Sequence, residues 1–159
     1  MASTMVSVSA QAPVDEAQAT YNKRSIVVGA GCFWGVEKMF SEIVGVIDVV
    51  SGYANGQGVD ATYQAITLPS NRMNPNNHAE VVRISYNANV VNLRTILESF
   101  FEYHDPTQVN RQGNDIGTQY RSMILTTDLE QIKVANKTLT EYQILLSKAG
   151  FGQIVTEIT

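Results

Sequence analysis

Ser25-Ile26-Val27-Val28-Gly29-Ala30-Gly31-Cys32-Phe33-Trp34-Gly35-Val36-Glu37-Lys38-Met39-Phe40 changes its period halfway along. Its first part is an apolar, β-branched run suited to a strand over 25–30. From residue 34 the apolar positions Val36, Met39, Phe40 and Ile43 recur at helical spacing, which predicts a helix over 34–44. The only cysteine of the chain stands at the junction, flanked by glycines and beside the only tryptophan. Unpaired backbone N–H groups and the positive end of the helix dipole favour a negative charge at such a junction. A thiol there is expected to ionise readily. A lone cysteine also reads as a small buried hydrophobe, and the flanking sequence alone leaves both readings open.

Outward from this unit, residues 45–53 read as a second strand and 81–86 as a third. A long loop over 54–80, rich in glycine, proline and asparagine, separates them; a loop of that length in a compact domain is usually functional. A helix begins after Asn92, with Leu93, Ile96, Leu97, Phe100 and Phe101 on its apolar side. A polar loop over 104–120 leads to strand four at 121–126. Asp128 precedes a long amphipathic helix whose inward residues are predicted to be Leu129, Ile132, Leu139, Tyr142 and Leu146, with Gly150 just past its end. Residues 153–158 close as a last strand. The order is βαβ, βαβ, then αβ, which predicts an α+β, two-layer α/β sandwich: a ferredoxin-like βαββαβ core with an added αβ. Residues 1–23 are expected to be a flexible N-terminal tail without the basic start and apolar run of a secretory signal, and 24–159 a single catalytic domain.

The 159 residues suffice for one such core. A net charge of −4 argues against nucleic acid or an anionic membrane as partner, and no apolar stretch approaches the roughly 20 residues that span a bilayer. One cysteine excludes an internal disulfide and fits a reducing compartment, so a cytoplasmic monomer is expected. With two histidines, no metal site is expected.

Three further segments carry concentrated polar chemistry: Ala61-Thr62-Tyr63, Asn77-His78-Ala79-Glu80, and His104-Asp105-Pro106-Thr107 followed by Arg111 through Arg121. Glu80 stands directly before an apolar strand. If buried there, its carboxyl stays protonated near neutrality; at a strand edge it faces water instead. Tyr63 and Tyr120 stand among polar residues, as phenol donors or as amphipathic packing. A thiolate attacking an electrophilic atom needs a group to neutralise charge on the bound oxygen, and a protonated carboxyl with two phenols supplies it.

Gly31-Cys32-Phe33-Trp34-Gly35, His78-Ala79-Glu80, Phe100-Phe101 with His104-Asp105-Pro106-Thr107, and Arg111 through Ser122, in that order, resemble the peptide methionine sulfoxide reductase A family over about 25–158. The chain resembles a one-cysteine member with a shortened C-terminus. The resemblance implies reduction of methionine-S-sulfoxide, free or in proteins. Cys32 matches the nucleophile, Glu80 the acid that protonates the sulfoxide oxygen, and Tyr63 and Tyr120 the phenols that hold it. Phe33 and Trp34 match the walls of the methyl pocket, and Asp115 a polar residue at its edge. No bound cofactor is implied. With no second cysteine, the Cys32 sulfenic acid is expected to meet an external thiol: thioredoxin, glutaredoxin with glutathione, or dithiothreitol. A sulfoxide-binding module without turnover and a thiol peroxidase-like enzyme are the alternatives.

Overall fold

The computed structural model describes residues 21–159. Most of the expected tail, residues 1–20, lies outside the described residues; Lys23, also assigned to it, opens the first strand. Strand β1 is Lys23–Gly29, followed by helix α1, Phe33–Ser41, and strand β2, Val46–Ala54. Two one-turn helices, α2 (Tyr63–Ile66) and α3 (Pro69–Arg72), precede strand β3, Ala79–Asn87. Helix α4 is Leu93–Tyr103. A small hairpin of β4 (Arg111–Gln112) and β5 (Asp115–Ile116) and a 3-10 turn at Thr118–Tyr120 lead into β6, Met123–Leu125. Helix α5, Leu129–Lys148, and strand β7, Glu157–Ile158, end the chain.

The main sheet runs β2-β3-β1-β6-β7. Its first three pairings are antiparallel, and β6–β7 is parallel. This is the ferredoxin-like order with one strand added through the right-sized crossover of α5. Alternation along β3 builds both faces. Val82, Ile84 and Tyr86 join Ile26, Val28, Val36, Phe40, Leu97, Phe100 and Phe101 under the helices. Ala79 and Val81 join Met123 in a smaller cluster. Each fully buried large side chain contributes roughly 1.5–3 kcal/mol.

Capping sets the helix starts. Asn92 accepts from the Thr95 N–H and Asp128 from the Gln131 N–H, both at 2.8 Å. Gly150 takes φ +89° just beyond α5, as its position predicts.

Five expectations are corrected. The loop over 54–80 contains α2 and α3; the Thr62 hydroxyl caps α2 by accepting from the Ala65 N–H. The loop over 104–120 contains the β4–β5 hairpin. Strand four spans 123–125 rather than 121–126, because Arg121 and Ser122 are spent on buried polar bonds; only 157–158 of the last segment pairs. In α5, Leu129 and Ile132 face solvent, while Gln131, Ala135 and Thr138 are buried with Val134, Leu139 and Tyr142 against the core. Gln131 fixes that rotation by donating to the Ser25 carbonyl of β1 and accepting from the Thr127 N–H.

Candidate active site

Cys32 is the residue at which β1 has ended and α1 has not begun. Two glycines make that approach possible. Gly31 has φ +93°, and a Cβ on it would come within 2.9 Å of the Gln112 side chain. A Cβ on Gly35 would run into the Tyr103 hydroxyl. Gln112 is itself held, its carbonyl accepting from the Asp105 N–H at 2.8 Å and its amide donating to the Asp105 carbonyl at 3.0 Å. The His104-Asp105 corner thus backs the cysteine turn through one glutamine.

Glu80 approaches from β3. It is 3% exposed, and its Oε1 accepts the Phe33 N–H at 3.2 Å. Burial pushes its carboxyl up; the Phe33 bond pulls the other way, and nearby Asp115 adds to the rise. The buried alternative of the two sequence readings is the one realised. The Cys32 thiol is also pushed up, chiefly by burial, with Glu80 and Asp115 adding to it; the Trp34 backbone N–H at the sulfur works in the opposite direction. The expectation of a readily ionised thiol is therefore corrected: burial and two carboxylates outweigh the helix end. Tyr120 is pushed up by burial and then by the charges of Glu80, Asp115, Tyr63 and Cys32. Tyr120 therefore lies within electrostatic reach of Glu80, Asp115, Tyr63 and Cys32.

Phe33 and Trp34 form the apolar side. With Glu37 and Ser51 they line a hollow of about 300 Å³ between α1 and β2. Trp34 is 79% exposed and Tyr63 57%, so both stand at the rim. Asp115 is exposed on β5.

Tyr53 is a neighbour of Glu80 and Phe33 that sequence reasoning missed. It pairs with Glu80 in the β2–β3 register, and its ring lies 5.5 Å from that of Phe33. Its hydroxyl is pushed up by burial and then by Glu80 and Tyr63. A tyrosine ending a strand carried no signal without the register. Arg121 is the second omission. It is 9% exposed, donates to the Thr118 carbonyl at 2.8 Å and the Asn55 carbonyl at 3.0 Å, and lies 3.7 Å from Glu157. It thereby fixes the turn that carries Tyr120.

His78 is spent structurally. Its Nδ1 accepts the Gly56 N–H at 3.0 Å, which leaves Nε2–H to donate to the Val59 carbonyl at 2.8 Å. His104 is buried and pushed down to about 4, chiefly by desolvation. Its ring bridges the Phe100 carbonyl and the Ser122 hydroxyl, both at 2.7 Å. Among the described residues no cluster of three or more His, Cys, Asp or Glu could hold a metal ion.

The sequence profile described as Peptide methionine sulfoxide reductase matches residues 24–159. The chain belongs to the peptide methionine sulfoxide reductase family. It is 42% identical over 137 residues to "Peptide methionine sulfoxide reductase MsrA" of Corynebacterium kroppenstedtii, covering 86% of this chain and 60% of that one. It is 45% identical over 132 residues to the rat "Mitochondrial peptide methionine sulfoxide reductase", covering 83% and 54%. The chain thus spans well under two thirds of the length of these reductases. Among solved structures, methionine sulfoxide reductase A of Corynebacterium diphtheriae superposes with a TM-score of 0.76 at 36% identity, covering 86% of this chain and 64% of that one. Mxr1 from Saccharomyces cerevisiae in complex with Trx2 superposes with a TM-score of 0.59 at 26% identity, covering 86% and 76%.

Proposed function

We propose that this chain is a peptide-methionine (S)-S-oxide reductase, with residues 24–159 as its catalytic domain. The observation that carries the reading is the buried Glu80 carboxyl bonded to the residue next to the only thiol. A sulfoxide has a partly positive sulfur and a partly negative oxygen. Glu80, whose burial favours the protonated carboxyl, donates its proton to that oxygen, and the Tyr63 and Tyr120 hydroxyls donate hydrogen bonds to it. The sulfur becomes more electrophilic and the Cys32 sulfur attacks it. As the thiol proton leaves, the Glu80 carboxylate takes it up, so the acid ends as it began. The attack forms an S–S bond to the substrate sulfur, which now carries the protonated oxygen as hydroxyl. That hydroxyl then passes to the Cys32 sulfur as the S–O and new S–S bonds break, methionine departs, and Cys32 is left as sulfenic acid: the cysteine sulfur is oxidised by two electrons and the substrate sulfur reduced by two. Phe33 and Trp34 receive the S-methyl, and Asp115 borders the substrate backbone. Oxygen donors on one side and an apolar wall on the other select one epimer, taken here as the S form that the family resemblance implies.

Cys32 is the only cysteine of the 159 residues. Two equivalents of an external thiol return it to the thiol, with one water and one disulfide formed. Thioredoxin is the favoured reductant, supported by the likeness to the Mxr1 structure solved with Trx2; glutaredoxin with glutathione is the other. No helix among the described residues is long and apolar enough to cross a membrane. A cytoplasmic monomer acting on free or protein-bound methionine sulfoxide completes the proposal.

The test is turnover on resolved S and R sulfoxides with dithiothreitol, thioredoxin or glutaredoxin as reductant. Methionine from the S form alone is expected. Turnover of the R form alone, or peroxide consumption outrunning sulfoxide reduction, would overturn it.

A further inference from the structure

Among the described residues, the hollow at Phe33 and Trp34, next along the chain to Cys32, is lined from α1 and β2. Among the same residues, β2 is an edge strand of the sheet. Beyond its opening bulge it keeps uninterrupted register with β3 from Asp48 to Ala54, so its far side presents a row of backbone N–H and C=O groups of matching length. Edge strands of that kind are normally blunted by lysine, proline or inward charge. Here Asp48 is the only charged residue in Val46–Ala54, and there is no proline; Ile47 and Val50 are 44% and 42% exposed. Ser51 bonds to Glu37 and lines the hollow with it, and Tyr53, two residues on along the same face, packs on Phe33. Trp34, the most exposed aromatic at the site, overhangs the same opening.

Resting on the reductase reading, we propose that β2 is the docking edge for substrate polypeptide: an extended, unfolded segment adds as a further strand, and its methionine sulfoxide side chain enters the hollow between Trp34 and Ser51. Side chains on an added strand alternate between the two faces as those of β2 do. When residue i stands over the Phe33 hollow, i−2 and i+2 stand beside it on the α1 face and i±1 point away. The main chain supplies affinity and the hollow supplies selectivity for the oxidised side chain, the division of labour seen wherever a strand is added to a sheet edge. The preferred substrate is therefore an extended segment of polypeptide, with the free amino acid using only the hollow.

The alternation gives a test that side-chain binding cannot mimic. In an added strand every second backbone N–H points at β2 and the others at solvent. A nonapeptide with a central methionine-S-sulfoxide is titrated against the full Cys32→Ser chain, reading Trp34 fluorescence, with a single N-methyl group moved along its backbone. Binding is expected to weaken roughly tenfold at alternate amides, one lost hydrogen bond each, and to be unchanged at those between. Uniform tolerance, or an effect confined to the sulfoxide residue, would overturn the proposal. So would sedimentation showing a second copy of the chain on this edge that the peptide does not displace. Because the binding is read without turnover, the alternation stands or falls apart from the chemistry. An inactive wild-type chain that still shows the alternation supports the docking edge and faults the reductase reading alone.

Discussion

The Phe33 backbone N–H donates to Glu80 Oε1 at 3.2 Å, joining positions 47 residues apart. The acid and the thiol are thereby locked to one another through a backbone group rather than a mobile side chain. The bond resists any shift of β3 relative to the cysteine turn, which would part the two reacting groups.

Glu80→Gln separates stability from chemistry. The glutamine carbonyl still accepts the Phe33 N–H but carries no proton to give, so kcat/KM is expected to fall by about 100-fold or more. Glu80 favours the folded state while it is protonated. That advantage is lost as pH rises from the ordinary carboxyl range through its raised value. The variant should therefore melt a few degrees higher than the wild type near pH 8 and lose that lead in acid. Thermal melts from pH 4 to 9 beside steady-state rates check both halves.

Alkylation of Cys32 by iodoacetamide reports its ionisation. Its midpoint is expected above the about 8.5 of a free thiol, since burial and then Glu80 and Asp115 hold the proton on. Asp115→Asn should move the midpoint down. A midpoint below that of free cysteine would restore the helix end as the dominant influence.

Removing either phenol tests the oxygen site. Tyr120→Phe and Tyr63→Phe are each expected to lower kcat/KM about tenfold, mostly in kcat. Loss of both should exceed either alone.

Arg121→Met removes the guanidinium donors to the Thr118 and Asn55 carbonyls, leaving Thr118 with the backbone N–H of residue 121. A loss of about 2–3 kcal/mol in urea unfolding is expected, with a slower rate, because the turn bearing Tyr120 loses its anchor.

His104 gives the fold an acid limb. Its folded value of about 4 lies below the ordinary 6.5, so the unfolded chain binds the proton first. Its contribution is present above about 6.5 and is lost as pH falls toward 4, about 3 kcal/mol in all. His104→Gln, less stable at neutrality, should show a flatter decline over that range.

Much of this was legible in the chain. Period two and period 3.6 located β1, β2, β3, α1 and α4, because each buries one face against a common core. Asn92 and Asp128 marked helix starts by capping chemistry that needs no tertiary context. Pairing was not legible. Tyr53 neighbours Glu80 only through its place in the β2–β3 register, and Arg121 reads as a strand residue until its three partners are known. The ionisation of Cys32 followed the same rule: the helix end is local, but the carboxylates that oppose it come from β3 and β5. The outward rotation of Leu129 and Ile132 reflects a glutamine bonded to β1, a contact no hydrophobic pattern encodes.

Single turnover without reductant tests the central chemistry most directly. The 159-residue chain, mixed with excess methionine-S-sulfoxide, is expected to release one equivalent of methionine and to carry one dimedone-reactive sulfenic acid at Cys32, with neither product in Cys32→Ser. Methionine formed by the serine variant, or release with no label on Cys32, would contradict the account.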